Sequence, residues 1–233
     1  MENSGNKSLI STSSSNLAKT EKLLSITKKI LSEIKPKYES VRIGNQEWMA
    51  RNLDADRFRN GDLIPHIESY EEWEKVGENG HPALCYYDND PENGKKYGKL
   101  YNWYAVNDPR GLAPEGWRVP TDEDWTSLVD FLGYEFVAGH KMKSIDGWEW
   151  VDDKGQIQDG NGDNLSGFNV LPGGCRNGDG SFLDIRDYAF FWSSTEDDNF
   201  YAWYRFLLSN SVVVGMNYAN KSAGASIRCL RDD

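Results

Sequence analysis

Two short runs of oxygen-bearing side chains could bind a calcium ion. The runs are Asp88, Asp90, Glu92 and Asn93 in YYDNDPENGKKYG, and Asp159, Asn161, Asp163 and Asn164 in QDGNGDNLSG. Calcium needs about six to eight oxygen ligands, which clusters of this kind can supply. Neither run has the spacing of an EF-hand, because the first has its glycine one position late and the second has Asn164 where that loop needs glycine. Runs of Asp, Asn and Gly also favour solvated turns, so we expect turns and no bound metal ion.

The cysteines and histidines do not form a recognisable catalytic or metal-binding pattern. They are Cys85, Cys175 and Cys229, and His66, His81 and His140. An odd number of cysteines without a CxxC pair indicates neither a disulfide framework nor a zinc site, so we expect buried free thiols. The histidines have no matching acidic or cysteine spacing, and the chain has no nucleophile elbow or zincin helix. The sequence therefore predicts no catalytic residues, no cofactor and no enzymatic activity.

The segment 197–220 has the composition of a binding surface. It contains no Lys, Glu or Gln, although these three types together make up 34 of the 233 residues. Its aromatic side chains stand among Asn, Ser, Asp and Gly. This mixture is typical of binding loops, because aromatic rings give contact area at low entropic cost and small polar residues adapt. The alternative is an ordinary antiparallel hairpin, with WYRFLL and SVVVGM as strands and Ser209-Asn210 at the turn. The two interpretations are compatible, and both stay open.

Strand alternation must decide which side chains of this segment face outward. The predicted ligand-contacting residues are Asp198, Asn199, Phe200, Tyr201, Tyr204, Phe206, Leu208, Asn210, Val212, Val214, Asn217 and Tyr218. The predicted scaffold beneath them is Trp103, Trp117, Trp125, Trp148, Trp192, Trp203 and a terminal strand over 227–231. Exposed aromatic rings among short polar side chains suit a protein ligand better than a sugar, so the expected partner is a protein.

A helix near the N-terminus precedes the elements that carry these residues. Residues 1–16 are rich in Ser and Asn and are predicted to be disordered. Residues 17–35 predict an amphipathic helix with leucines at 17, 24 and 31, and Pro36 ends it. Thr20 and Thr27 lie in the same seam, so a coiled coil of these heptads would be marginal alone. The helix either joins copies of the chain into a homo-oligomer or packs on its own domain. The predicted domain boundary lies between residues 36 and 37.

From Tyr38 onward the pattern indicates a domain of mixed helices and strands. A hairpin is expected around Gly44-Asn45, followed by loops as far as about Leu84. A helix is predicted over 121–132, because Thr121 can cap it, acidic residues occupy its first turn and Gly133 follows it. A shorter helix is expected near 135–143. Beyond it, short strands are predicted in GWEW, SGFNVLPGG, FFWSS, AWYRFLL, VVVGM and SIRCL.

Composition and charge exclude several classes of protein. The net charge of -11 argues against binding to a nucleic-acid backbone, which needs a basic face to release counterions. No segment approaches the ~18 consecutive apolar residues of a membrane span. The N-terminus has no cationic start followed by an apolar run, so no signal peptide is visible. We therefore expect synthesis in the cytoplasm, with association with a virion or export by another route as alternatives.

Seven sequence blocks in order carry a resemblance to a known family. They are WMARNL (48–53), YGKLYNWYAV (97–106), LAPEGWRVPTDEDW (112–125), SGFNVLPGG (166–174), WSSTE (192–196), AWY (202–204) and IRCLRD (227–232). Together they resemble the Fibrobacter succinogenes major paralogous domain, over roughly residues 38–232. The resemblance implies a C-type-lectin-like fold, α+β with two helices and small twisted antiparallel sheets, preceded here by the N-terminal helix. Formylglycine-generating enzymes and the variable proteins of diversity-generating retroelements have a similar fold.

The resemblance also implies a function. In those variable proteins the diversified segment lies near the C-terminus between WSSTE-like and RC-like blocks, as 197–220 does here. Retroelement diversification replaces adenines, so an asparagine codon ending in C never becomes Lys, Glu, Gln, Met or Trp. Within 197–220 only Trp203 and Met216 fall outside the permitted set. The resemblance therefore implies a phage or bacterial, non-enzymatic receptor-binding protein with a hypervariable surface.

Two other functions are compatible with the resemblance. One is a structural or surface-anchoring module whose C-terminal hairpin is ordinary core. The other is an oxidase of the formylglycine-generating type, which uses two active-site cysteines close together near the C-terminus. Cys229 stands alone in that region and Cys175 lies far upstream, so the oxidase is disfavoured. A calcium-dependent lectin would need a Glu-Pro-Asn-like loop, which this sequence does not contain.

Overall fold

The computed structural model describes residues 19–25 and 38–232. The chain divides into two compact units, Met1–Tyr38 and Glu39–Asp233. In the first unit, residues 19–25 are helical and exposed, and they fall within the helix predicted over 17–35. The predicted disordered tail and the rest of that helix lie outside the described residues.

The second unit is an α+β fold, as predicted. Its strands are β1 (Ser40–Ile43), β2 (Gln46–Met49), β3 (Leu84–Cys85), β4 (Leu100–Asn102), β5 (Trp117–Arg118), β6 (Glu149–Val151), β7 (Ile157–Asp159), β8 (Gly173–Arg176), β9 (Phe182–Ile185), β10 (Tyr188–Glu196), β11 (Tyr201–Leu208), β12 (Val214–Asn220), β13 (Gly224–Ala225) and β14 (Leu230–Arg231). Its helices are α1 (Tyr70–Glu78), α2 (Pro91–Tyr97), α3 (Trp103–Val106), α4 (Asp122–Phe131) and α5 (Glu135–Met142), with a 3₁₀ turn at Tyr87–Asn89. None of the described helices is long and apolar enough to cross a membrane.

The described strands form three sheets. The first has the order β1-β2-β14-β5, so the last strand of the chain joins the first hairpin, with Leu230 opposite both Trp48 and Arg118. The largest has the order β12-β11-β10-β8-β13-β4-β3, with β9 attached to β8. Strands β10 and β8 run parallel, so this sheet is mixed. The strands β6 and β7 pair with each other.

Aromatic side chains fill the main core. Trp48, Trp125, Phe168 and Phe191 are almost fully buried, and the centroids of their contacting rings lie 4.9 to 6.4 Å apart. Edge and tilted contacts of this kind add about 0.5–1.5 kcal/mol per pair to the stability from buried area. Among the predicted scaffold tryptophans, Trp203 is half-buried, and the buried ones are Trp103, Trp117, Trp125, Trp148 and Trp192. The strands β10, β11 and β12 of the large sheet pack against this core.

The two helices and the first hairpin predicted from local signals are present. Helix α4 begins with a capping box, in which the Thr121 hydroxyl accepts from the backbone N–H of Asp124 and the Asp124 carboxylate accepts from the backbone N–H of Thr121. Arg118 donates to the same carboxylate, which holds the pKa of Asp124 below its usual value against the opposing effect of burial. Helix α5 follows after Gly133, and β1 pairs with β2 around Gly44.

The region predicted as loops before residue 84 contains α1, so that prediction is wrong. Ser69 caps this helix by accepting a hydrogen bond from the backbone N–H of Glu72 at 3.2 Å. Its buried residues are Trp73 and Gly77. Gly77 packs so closely on Ser222 that an added Cβ would lie 2.5 Å from the Ser222 Cβ. The apolar stripe of α1 is weak in the sequence, because a glycine contact with a distant segment forms part of its buried face.

The continuous terminal strand predicted over 227–231 is also wrong. Strand β13 ends at Ala225 and β14 begins at Leu230, while residues 226–230 are all buried instead of alternating. The Arg228 guanidinium donates to Asn52 Oδ1 at 2.8 Å and to the Met49 carbonyl oxygen at 3.1 Å. Oxygen acceptors therefore satisfy a charge at a position that strand alternation assigns to solvent. Similarly, the strand predicted in SGFNVLPGG begins only at its Gly173, and the one in GWEW only at Glu149.

Candidate binding surface

Strands β10, β11 and β12 form the outer part of the large sheet and carry most of the segment 197–220. β11 and β12 pair antiparallel from Tyr201 opposite Asn220 to Leu207 opposite Val214. On its other side β11 pairs with β10, with Tyr204 opposite Trp192. The predicted hairpin is therefore present, although its connection is longer than a Ser209-Asn210 turn and runs over 209–213. Because directly opposite residues share a face of the sheet, this register decides where each predicted contact residue points.

The inner face of the hairpin packs against the core. Leu207 and Val214 each have 1% of their surface exposed and belong to the main core cluster. The connection approaches α5 closely, since the Gly139 N–H donates to the Val212 carbonyl oxygen at 3.0 Å. Val214 is therefore unable to contact a ligand, which corrects its place among the predicted contact residues. Strand alternation puts it opposite Leu207 and directs both side chains inward.

Arg205 anchors the inner face of β11 to the first turn of α4. Its Nε donates to the Asp122 carboxylate at 2.9 Å, and its Nη2 donates to the Thr126 hydroxyl at 2.8 Å. The Arg205 side chain is 7% exposed, whereas that of Asp122 is 24% exposed. Sequence reasoning missed this role, although a lone charged residue inside an aromatic strand was the available signal.

The outer face of the same strands carries a group of aromatic rings. We call Tyr188, Phe190, Tyr204 and Phe206 the aromatic platform. Tyr188 and Phe190 stack at 5.4 Å with an interplanar angle of 6°, and Phe190 meets Tyr204 at 5.7 Å and Phe206 at 6.5 Å. All four rings are half-buried. Strand register places them on the face opposite Leu207 and Arg205, away from α4 and α5.

A glycine on β12 allows one platform ring to lie flat across the sheet. Gly215 is paired with Phe206, and a Cβ added at Gly215 would lie 2.1 Å from the Phe206 ring. A side chain at 215 would therefore displace the ring. Burial raises the pKa of Tyr204, and the neighbouring Cys175 and Tyr188 raise it further, so the Tyr204 hydroxyl stays protonated at neutral pH.

The tip of the hairpin carries a second exposed apolar group. We call Phe200, Tyr201, Trp203, Met216 and Tyr218 the tip cluster. Phe200 is 67% exposed, and Met216 and Tyr218 are each 50% exposed. The Tyr218 ring meets those of Tyr201 at 5.5 Å and Trp203 at 5.8 Å. Apart from Phe200 in the turn, these residues share the inner pleat of the sheet with Arg205, beyond the part that the helices cover.

A compact turn holds the tip in place. The Asp198 carboxylate accepts hydrogen bonds from the backbone N–H groups of Phe200 and Tyr201 at 2.7 and 2.8 Å. The buried ammonium of Lys221 donates to the Asp198 carbonyl oxygen at 2.6 Å, pairs with Glu196 and lies 4.8 Å from the centroid of the Trp103 ring. Asp198, one of the predicted contact residues, therefore also shapes the turn on which Phe200 is displayed.

The structure places the predicted contact residues at two surfaces and not at one. The exposed members are Asp198, Asn199, Phe200, Tyr201, Asn210, Val212, Asn217 and Tyr218, the half-buried ones are Tyr204, Phe206 and Leu208, and the buried one is Val214. Sequence reasoning missed Tyr188 and Phe190, which precede the segment, and it assigned Trp203 to the scaffold. The alternation in YAFFW was a usable signal, because its first and third residues lie on the outer face.

The acidic runs form caps and turns, and the cysteines are free thiols. Asp90 caps α2 by accepting from the Glu92 N–H at 2.9 Å, and the Asp159 carboxylate accepts from the Asn161 N–H at 2.8 Å. Within 19–25 and 38–232, no group of three His, Cys, Asp or Glu side chains is placed to hold a metal ion. The thiols of Cys85, Cys175 and Cys229 are free, and burial raises the pKa of each to about 12. At neutral pH the three thiols are therefore protonated and poorly nucleophilic.

The comparison with protein families identifies the domain. The family model described as Fibrobacter succinogenes major domain matches residues 41–231. The chain belongs to this family. No curated protein and no solved structure matches the chain. In this Fibrobacter succinogenes major domain the matched region contains every strand and helix of the second unit except the first residue of β1.

Proposed function

We propose that this Fibrobacter succinogenes major domain is a non-enzymatic binding protein that contacts a protein ligand through the β10-β11-β12 surface. The aromatic platform on the outer face of these strands carries the proposal. An antiparallel sheet with one face on the core normally directs polar side chains to its other face. Here that face carries four half-buried aromatic rings on two adjacent strands, next to the buried Trp192 on the same face. Contiguous apolar surface of this kind is typical of an interaction site.

The composition of the surface favours a protein ligand. Tyr and Phe rings with short polar neighbours give a large contact area with few rotatable bonds. Asn217 lies opposite Tyr204, which places an amide beside the platform rings. Aromatic residues of this kind dominate the binding energy of protein interfaces when the partner excludes water from around them. We therefore expect a few platform and tip rings to supply most of the affinity.

The same architecture supports variation of the surface. Arg205, Leu207 and Val214 tie the inner face of the hairpin to α4, α5 and the core, whereas the platform side chains lie on the other face and the tip side chains lie beyond the part that the helices cover. Outward side chains can therefore change without removing these anchors. This separation supports the further proposal that a retroelement diversifies 197–220. Sequencing of the neighbouring DNA tests it, because a near-duplicate of the coding sequence for this segment beside a reverse-transcriptase gene is expected.

Site-specific photo-crosslinking tests the binding function. The photoreactive residue p-benzoylphenylalanine would replace Phe206 on the platform, and in a separate variant it would replace Leu165, which is 76% exposed in a different loop. In cells of the native host, we expect a defined covalent protein adduct from position 206 and none of the same mass from position 165. Identical adducts at both positions, or none at position 206, would contradict a protein-binding platform and favour the structural module.

A further inference from the structure

A cleft beside the tip of the hairpin has walls from two different parts of the domain. Its volume is about 720 Å³, within the range of small-ligand sites. Glu74 and Glu78 of α1 and the ring of Tyr104 line one side, and Asn199, Phe200 and Asn220 line the other. Three of these six residues therefore lie outside the segment 197–220, and three lie within it.

We propose that this cleft receives the cationic side chain of a lysine or arginine on the protein partner. The inference rests on the proposed function, because it assigns a chemical group to the ligand of the neighbouring surface. The cleft would then recognise a positive charge on the ligand next to the tip cluster.

The charges of the lining residues support a cation. Glu74 and Glu78 lie four residues apart and are both exposed, and neither forms an ion pair with another described residue. No lysine or arginine lines the cleft within the described part of the chain. Glu78 also lies at the C-terminal end of α1, where the partial negative charge of the helix end favours a cation. The carboxylates and the helix end therefore make the local potential negative.

The aromatic and amide side chains add a second type of attraction. Tyr104 is half-buried and Phe200 is exposed, so parts of both side chains are accessible from the cleft. A ring face attracts an ammonium or guanidinium group by about 0.5–2 kcal/mol, depending on how much water is removed. The amide oxygens of asparagines can accept hydrogen bonds from the same group. A neutral sugar could use the rings and amides and donate hydroxyl hydrogen bonds to the carboxylates, but it would not neutralise their two charges.

Close backbone packing gives the cleft a fixed floor. A Cβ added at Gly77 would lie 2.5 Å from the Ser222 Cβ, and one added at Gly178 would lie 2.4 Å from the Ser222 Oγ. The Ser222 hydroxyl in turn donates to Asn220 Oδ1 at 2.9 Å. The floor is therefore formed before a ligand arrives, which reduces the ordering cost of binding.

Two-dimensional NMR titration of the uniformly ¹⁵N-labelled full chain tests the inference. The probes are N-acetyl-lysine N-methylamide and N-acetyl-arginine N-methylamide, with the neutral N-acetyl-norleucine N-methylamide and a methyl glucoside as comparisons. We expect saturable shifts of the amides around Glu78, Phe200 and Asn220 with at least one cationic probe. Added salt should weaken these shifts, and the norleucine probe should not produce them.

Charge-removing variants sharpen this test. The double variant Glu74→Gln, Glu78→Gln should lower the apparent affinity for the cationic probe about tenfold, a change equivalent to ~1.4 kcal/mol. Glu72→Gln is the matched control, because Glu72 is also an exposed residue of α1 but does not line the cleft. The Glu72→Gln variant should bind the cationic probe with the affinity of the wild type.

Several results would overturn the inference. They are no saturable shift with either cationic probe, an equal response to norleucine, an equal loss in Glu72→Gln, and a response to the glucoside that the double variant leaves unchanged. The last result would identify a saccharide site instead. A specific adduct at position 206 together with any of these results would leave the proposed function standing, and the inference about the cleft alone would fail.

Discussion

Arg205 lies on the same strand as Tyr204 and Phe206, but its side chain points to the opposite face. Those two rings are half-buried on the outer face, whereas the Arg205 guanidinium is buried against α4 and bonded to Asp122 and Thr126. Adjacent residues of β11 thus differ in role: Tyr204 and Phe206 lie on the proposed binding face, and Arg205 between them holds the strand in place. At the scale of residues, we expect substitutions on the two faces to affect different properties.

Substitution of Arg205 should destabilise the domain. Arg205→Met should lower the free energy of unfolding by about 3 kcal/mol, because it leaves the partly buried Asp122 carboxylate without its partner. Arg186→Met is the control, since Arg186 forms a longer and exposed ion pair with Glu149 and should contribute less than ~1 kcal/mol. Urea unfolding of the two variants measures the difference. Equal losses would show that the Arg205 contacts do not anchor β11.

The buried thiols should make stability depend on alkaline pH. Burial raises the pKa of Cys229 from 9.0 to about 12. Between these two pH values the unfolded chain loses the thiol proton, whereas the folded chain keeps it. Below about pH 9 the thiol is protonated in both states and its contribution to the free energy of unfolding is fully present. As the pH rises toward 12, the free energy of unfolding falls by up to ~1.4 kcal/mol per pH unit for each such thiol.

Cys229→Ala should therefore flatten this dependence. Under reducing conditions, the variant should lose less stability than the wild type between about pH 9 and pH 10.5, although its stability at neutral pH is lower because of the cavity. Urea unfolding at several pH values gives both curves. If the curves run parallel, the Cys229 thiol does not titrate differently in the folded and unfolded chain.

At the scale of elements, Lys143 joins α5 to the base of the hairpin. Lys143 is the residue that follows α5 in the chain. Its ammonium lies 2.5 to 3.1 Å from the carbonyl oxygens of Gly160, Leu208, Ser209 and Ser211 and donates hydrogen bonds to them. The side chain is buried, and burial lowers the pKa of Lys143 to about 8. One tethered cation thus holds both the 160 loop and the 208–211 turn, in the way that a bound metal ion holds converging carbonyls.

Removal of this ammonium should loosen the connection between β11 and β12. Lys143→Met should lower the free energy of unfolding by about 3 kcal/mol, because several buried carbonyl oxygens lose their donor. Amide hydrogen exchange should accelerate over 209–213 more than over α4. Lys154→Met, at an exposed turn, is the control and should change neither quantity. Unchanged exchange in Lys143→Met would show that Gly139 and the core alone hold the turn.

The tip of the hairpin should tolerate substitution where its scaffold does not. The triple variant Phe200→Ser, Met216→Ser, Tyr218→Ser should change the free energy of unfolding by no more than about 1 kcal/mol, because these side chains are at least half exposed. Trp192→Ala should cost about 3–5 kcal/mol through the cavity it leaves and the lost bond from its Nε1 to the Tyr101 carbonyl oxygen. Differential scanning calorimetry compares the two. A triple variant as unstable as Trp192→Ala would make the tip cluster part of the core.

At the scale of the whole molecule, we predict that the helix expected over 17–35 joins several copies of the proposed binding surface. A single surface of this size can bind weakly, and linked copies make later contacts intramolecular, so avidity can gain ~10²-fold or more. Most of the predicted helix over 17–35 lies outside the described residues, and its association stays a prediction. The spacing of the leucines at 17, 24 and 31 predicts an apolar stripe, and Thr20 and Thr27 predict a weak seam.

Light scattering over a range of concentrations tests this association. We expect the full chain to form concentration-dependent oligomers and a variant lacking residues 1–36 to be monomeric. Circular dichroism of the shortened chain should retain the signal of the folded domain, which excludes unfolding as the cause. A full chain that stays monomeric at high concentration would show that multivalency, if present, comes from another protein.

Local signals in the sequence were sufficient for some parts of this domain. The capping box at Thr121, the acidic first turn and Gly133 predict α4, because these interactions lie within or next to the helix itself. The Gly44 hairpin and the existence of the β11-β12 hairpin follow from strand alternation and turn residues in the same way. The ordered blocks identified the family, which the family model confirms, whereas the binding surface over 197–220 stays a prediction.

Tertiary contacts decided what sequence patterns could not. Val214 and Arg205 point inward because β11 pairs with β10 and β12 in one register, and the helices then cover one face of that sheet. Helix α1 has a weak stripe of its own, because its Gly77 packs on Ser222 from a segment far along the chain. The buried run at 226–230 depends on acceptors near residues 49–53. Side-chain direction in a strand is set by distant partners, so the sequence alone predicted a binding segment without deciding which side chains face outward, and only the structure divided its residues among platform, anchor and tip.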